Sequence, residues 1–174
     1  MAIALYDVTV TSYLQTLSAV TKFLDKALVF FREQNIDPEQ IVETRLAADM
    51  HPFRFQVHSI VFHSLGALES VRIGTMQPPP KRPAHDYAGL QALVAETHDA
   101  LLKVTPDELD ALEGKDLIFH GSSVRTFTAE GFLLSFSLPN FYFHAATTYD
   151  ILRWKGAPVG KRDFMGTLRV KTPS

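Results

Sequence analysis

Seven histidines and no cysteine set the chemistry open to this 174-residue chain. Without thiols there is no thiolate nucleophile, disulfide, iron–sulfur cluster or Cys-ligated zinc, so any metal site must draw on imidazole, carboxylate or amide oxygen. The serine elbow G-x-S-x-G is missing, because Gly121-Ser122-Ser123-Val124 lacks the second glycine. H-E-x-x-H is missing too, and no two histidines lie three or four residues apart. No zinc-protease pattern is therefore written into a single helix. Gly156-Ala157-Pro158-Val159-Gly160-Lys161-Arg162 has one spacer too few for a phosphate loop, and Arg162 stands where Ser or Thr belongs. It reads as a helix stop followed by a turn.

What remains is a constellation assembled between helices. His144 shares an apolar stripe with Phe141, Thr148 and Leu152 and is expected to point inward. Asp49, Gln56 and His63 fall seven apart and share one face of a continuous helix, while His51 and His58 make another such line. Facing helices of a bundle build metal sites in this way, and such groups would suit zinc or nickel. Each residue also has a plainer reading. His144 can be a core imidazole bonded to Thr148, Gln56 or a backbone carbonyl, and Gln56 a core amide. Asp49 can cap the helix segment around Pro52. Arg153 and Lys155 suit the negative end of the last helix, and the six basic residues between Arg153 and Lys171 form a solvated face broken by Asp163.

The elements that must position these groups are legible in the periodicity. Val10, Tyr13, Leu14, Leu17, Val20, Leu24, Leu28 and Phe31 recur at helical spacing, predicting a long helix from Thr9 to Gln34. Asp37 caps a second helix with Pro38 at its first position. That helix is expected to run past Met50, kink near His51 and Pro52, and continue to Leu68. Gly74 to His85 makes a long surface connection. Asp86 caps a third helix on Tyr87, Leu90, Leu93, Val94 and Leu101, and Asp107 to Leu112 forms a short helical turn. Lys115 to Ser137 reads as a small hairpin or irregular excursion. Pro139-Asn140 opens a last helix that Gly156 terminates.

The implied fold class is all-α: four main helices joined by a long crossover connection in one domain over residues 1–174, with 158–174 a surface tail. Seventeen Lys and Arg against nineteen Asp and Glu leave a formal charge of −2, too balanced for capture of nucleic acid or an anionic membrane. The N-terminus has no basic leader or cleavage-site pattern, and Gly131 to Ala146 is too short and too interrupted to span a bilayer. A cytoplasmic protein is expected.

Arg45-Leu46-Ala47-Ala48-Asp49-Met50-His51-Pro52 with Gln56-Val57, and Leu138-Pro139-Asn140-Phe141-Tyr142-Phe143-His144 with Thr147-Thr148-Tyr149, Ile151-Leu152-Arg153 and Gly160-Lys161-Arg162-Asp163-Phe164, stand in order on separate elements. Over nearly the whole chain they resemble the two signatures of an uncharacterised bacterial and fungal family in the DinB/YfiT-like metalloenzyme superfamily. The resemblance implies a DinB-like four-helix bundle, commonly dimeric, with a divalent ion between the second and last helices. Wider members include thiol-dependent transferases and isomerases. Their usual ligands are one histidine on the second helix and two histidines four apart on the last. Here His144 matches the first of that pair, Thr148 stands at the second, and Gln56 or His58 falls near the remaining position.

Two functional readings follow. In one, a metal-dependent enzyme of thiol-transferase or hydrolase type holds zinc or nickel through His144 with His58 or Gln56, and Asp49 acts as base or orienter. In the other, towards which Thr148 tilts the balance, a metal-free or weakly metal-binding homodimer keeps a small-ligand pocket among Gln56, His144, Thr148 and Tyr149.

Overall fold

The computed structural model describes residues 4–77 and 83–171. A short helix α1 (Leu5–Val8) leads into α2 (Val10–Glu33), whose buried side carries Val10, Tyr13, Leu17, Val20, Leu24 and Phe31. Asp37 accepts a hydrogen bond from the Glu39 amide at 3.0 Å and opens α3, which is only Glu39–Val42. The long kinked second helix does not form. Residues 43–52 make a loop instead, tied by Arg45 Nη1 to the Met50 carbonyl and by the Phe53 amide to the Thr44 carbonyl at 2.8 Å. Pro52 is the cause: it disfavours helical backbone at His51 and is itself extended, so the chain restarts rather than bends.

α4 (Phe53–Val61) runs through a π-helical turn, Phe62–Gly66, into α5 (Ala67–Ile73), which Gly74 closes with a φ of 74°. β1 (Thr75–Met76) follows. Residues 78–82, which hold three of the four prolines of the long connection, lie outside the described residues. Asp86 caps α6 (Tyr87–Leu101) through the Gly89 amide at 2.7 Å, and Thr105 caps α7 (Pro106–Asp110). β2 (Asp116–His120) and β3 (Val124–Thr128) form the hairpin.

The fold is helix-rich but not all-α. β1 adds to the hairpin as a parallel edge, with Thr75 opposite Ile118 and Met76 opposite Phe119, giving a three-stranded sheet in the order β1-β2-β3. A two-residue strand is too short to show alternation, so only the tertiary pairing reveals it. The last helix also begins earlier than its sequence implies. α8 (Ala129–Phe132), capped by Thr128, passes through a second π-helical turn, Leu133–Ser137, into α9 (Leu138–Trp154). Phe132-Leu133-Leu134 is thus helical rather than extended. Pro139 is tolerated within the rod because the wider turn before it already departs from the regular hydrogen-bond ladder. Asn140 Nδ2 donates to the Phe136 carbonyl at 2.7 Å and satisfies a group left by the disturbance.

α2 packs on α6, α4 packs on α6 and α9, and α9 returns to α2, closing a helical bundle. Phe23, Phe53, Tyr87 and Phe141 fill its centre. Phe53 stacks on Tyr87 at 5.9 Å, and Phe141 meets Tyr13 edge-on at 4.8 Å. The sheet docks through Phe119, which contacts Phe136 at 5.0 Å. The first part of the terminal segment packs on the bundle. Ala157 and Val159 are buried, α10 (Lys161–Met165) lies along α2, and Lys26 Nζ contacts Asp163 at 3.1 Å. Among the described residues no helix is long and apolar enough to cross a membrane.

Candidate functional site

α4 and α9 bring two of the named residues together inside the bundle. His144 Nδ1 lies 2.7 Å from Gln56 Oε1, and both residues are buried. Gln56 Nε2 donates to the His51 carbonyl at 2.9 Å. That second bond decides the first. A carbonyl can only accept, so the amide nitrogen must face His51 and the amide oxygen must face His144. In the neutral imidazole the proton therefore sits on Nδ1, and Nε2 carries the lone pair.

The ring is held on its other sides by aromatic groups. His63 stacks against it at 5.7 Å with only 12° between planes, Phe55 approaches edge-on at 6.0 Å, and Phe143 at 5.2 Å. His51 in turn stacks on Phe55 at 3.9 Å. Both π-helical turns border this cluster. One carries His63 and the other carries Ser137, whose hydroxyl donates to the His63 carbonyl at 2.8 Å and ties the two turns together. Widened turns of this kind re-aim side chains at functional sites.

The remaining named residues are distributed elsewhere. Asp49 sits exposed in the loop before Pro52, so its line with Gln56 and His63 breaks where the helix does, while Gln56 and His63 both still reach His144. It caps nothing, since α4 begins after Pro52 with no side-chain cap. His58 is two residues from Gln56, about 200° around the helix, and its Nε2 meets His85 Nδ1 at 3.2 Å. The pair expected as ligands, His144 and His58, thus engage different partners. Thr148 is buried next to the site, but its hydroxyl donates to the His144 carbonyl at 2.8 Å, within its own helix. Tyr149 faces away, edge-on to Phe23 and Phe164, with its hydroxyl 3.5 Å from the Val159 carbonyl.

Zinc sites take three or four protein ligands at once, and among the described residues no group of three or more histidines and carboxylates could hold a metal ion. The oxygen of Gln56 is spent on Nδ1, the Thr148 hydroxyl on its own helix, and His58 on His85.

Sequence reasoning placed His63 on the face of Gln56 but missed three parts of the arrangement: the His51 carbonyl, the Phe55 ring and the π-helical turns. The available signals were Pro52, which forces a loop ahead of α4, and Pro139, which stands inside an otherwise helical pattern.

The chain is 25% identical to a DinB family member protein from Shewanella denitrificans whose crystal structure superposes with a TM-score of 0.79, covering 97% of this chain and 96% of that one. The likeness supports a helical bundle. No functionally curated protein matches the chain. A family profile described as a domain of unknown function, DUF1993, matches residues 5–165, taking in both sequence signatures, the His144–Gln56 pair and the docked α10, and the chain belongs to that family.

Proposed function

We propose that this DinB-like protein is a metal-free or weakly metal-binding homodimer that binds a small molecule in a pocket beside the His144–Gln56 pair. The observation that carries this reading is the relay from the His51 carbonyl through the Gln56 amide to His144 Nδ1, which holds the imidazole in one tautomer. Aromatic neighbours favour an uncharged ligand with an apolar body. No catalytic step is assigned to Asp49, which stands in solvent. The second copy is supported by Phe143, 56% exposed beside His144, and by Tyr142 at 39%. Large exposed aromatics of this kind are favoured at interfaces.

Nitrogen-15 spectra of histidine-labelled protein test the carrying observation. His144 is expected as the Nδ1–H tautomer, and Gln56→Ala is expected to return it to a mixture of tautomers. A mixture in the parent protein overturns the reading. Elemental analysis of untagged protein, with zinc and nickel titration, is expected to find less than one ion per subunit. A stoichiometric ion that His144→Ala removes replaces this reading with the metal-dependent enzyme. Light scattering is expected to return a dimer, and a strict monomer removes the second copy from the proposal.

A further inference from the structure

A second concave site lies at the opposite end of α9 and does not depend on the His144 reading. There the chain leaves the helix at Gly156, whose φ of 94° suits glycine, and turns back across α9. Buried Ala157 and Val159 pin the backbone of the strap between Arg153 and Lys161. The result is a groove of about 460 Å³ lined by Tyr149, Arg153, Val159, Lys161, Arg162 and Asp163, with Pro158 and Gly160 completing the wall. That volume is within the usual range for small-molecule sites, about 300–1,000 Å³.

The electrostatics of the groove are one-sided. Its carboxylate, Asp163, is already committed: Oδ2 accepts from the Gly160 amide at 2.7 Å, and both oxygens face Lys26 Nζ at 3.1 Å. The Gly160 amide and then Lys26 hold this carboxyl below its usual range, so it stays ionised within its own pair. Among the described residues the ion pairs involve Lys26, Arg54, Arg72 and His98, and none involves Arg153, Lys161 or Arg162. Three cations thus ring one concavity without a counter-charge, in a chain whose formal charge is −2. Like charges gathered this way repel one another, and a multiply charged anion relieves the repulsion.

We propose that this groove binds a phosphate-bearing small molecule. The guanidinium groups of Arg153 and Arg162 match phosphate oxygens in a forked geometry, Lys161 adds a point charge, and the Tyr149 hydroxyl can exchange its single long contact to the Val159 carbonyl for one to a phosphate oxygen. The strap that resembled an incomplete phosphate loop then contributes side-chain cations rather than a cradle of amides.

The test uses Trp154, the single tryptophan, which is exposed beside Arg153 and carries Lys155 Nζ 4.6 Å from its ring centre. Sodium pyrophosphate is titrated at low ionic strength by tryptophan fluorescence and calorimetry, against sodium sulfate at matched ionic strength. The expected result is saturable one-to-one binding that sulfate does not reproduce. Arg162→Glu and Arg153→Glu should each weaken it by about tenfold or more, with unchanged melting temperatures. Lys22→Glu, on a different groove, should leave it intact. Absence of saturable binding, equal binding of sulfate, or insensitivity to both arginine variants overturns the proposal. Tighter binding of a single-stranded oligonucleotide than of pyrophosphate also overturns it, because it places the phosphates on a polymer.

Discussion

The two ends of α9 solve opposite physical problems. Towards its N-terminal half, His144 and Gln56 are buried and held by short hydrogen bonds. At its C-terminal end Arg153 is exposed, and Lys161 and Arg162 face it across an open groove with their charges unpaired among the described residues. Burial makes geometry decisive at the first end, because an unsatisfied group there has no water to turn to. Exposure makes charge number decisive at the second, where individual contacts are weak and screened by salt. One helix thus offers a site that reads hydrogen-bond direction and a site that reads charge.

That contrast can be broken or sharpened by substitution. The largest loss of stability is expected from Phe141→Ala, which empties the fully buried position against Tyr13 beneath the histidine end and should cost about 3–5 kcal/mol in urea unfolding. Gln56→Leu should cost about 1–3 kcal/mol, because the His144 Nδ1–H loses its acceptor inside the bundle. Val159→Ala, at 1% exposure, should cost about 1.5 kcal/mol and thermal melting should register it. A surface tail would show no change.

Asp163→Asn is expected to cost less than about 1 kcal/mol, as befits a largely solvated pair. Its effect has a pH signature. The folded-state pKa lies below the unfolded one, so the contribution is present above the ordinary carboxylate range and is lost as pH falls through the lowered folded value. Stability curves of the parent and Asp163→Asn proteins should therefore converge in acid. The smallest change in stability is expected from Arg162→Glu, within about 0.5 kcal/mol, although the same substitution should have the larger effect on anion binding. A reversal of that order would erase the distinction between the two ends.

Much of this organisation was legible before the structure. The expected span of the first long helix, Thr9 to Gln34, exceeds α2 by one residue at each end, and Asp86 and Gly156 act as the cap and stop their types imply, while Asp37 bonds the Glu39 amide one residue ahead of the N-cap, Pro38. His144 points inward to Gln56, one of the partners its stripe allowed. The failures share a cause. The helix expected through Asp49 becomes a loop because Pro52 and the bonds of Arg45 and Phe53 outweigh local helical preference. The early start of the last helix was hidden because a π-helical turn shifts the periodicity midway. The sheet was hidden because β1 gains its partner only from a segment more than forty residues away.

Side-chain type and spacing were sufficient to specify helical rods, their caps, an absence of thiol chemistry and the inward face of His144. Those are local properties, written within a few turns of chain. Which nitrogen of His144 bears its proton, where Thr148 spends its hydroxyl, and which cations remain unpaired around the terminal strap were decided by tertiary structure. Each depends on a donor, acceptor or charge delivered by a different element. Hydrogen-bond direction and ion pairing exist only between groups that folding has already brought within about 3–4 Å.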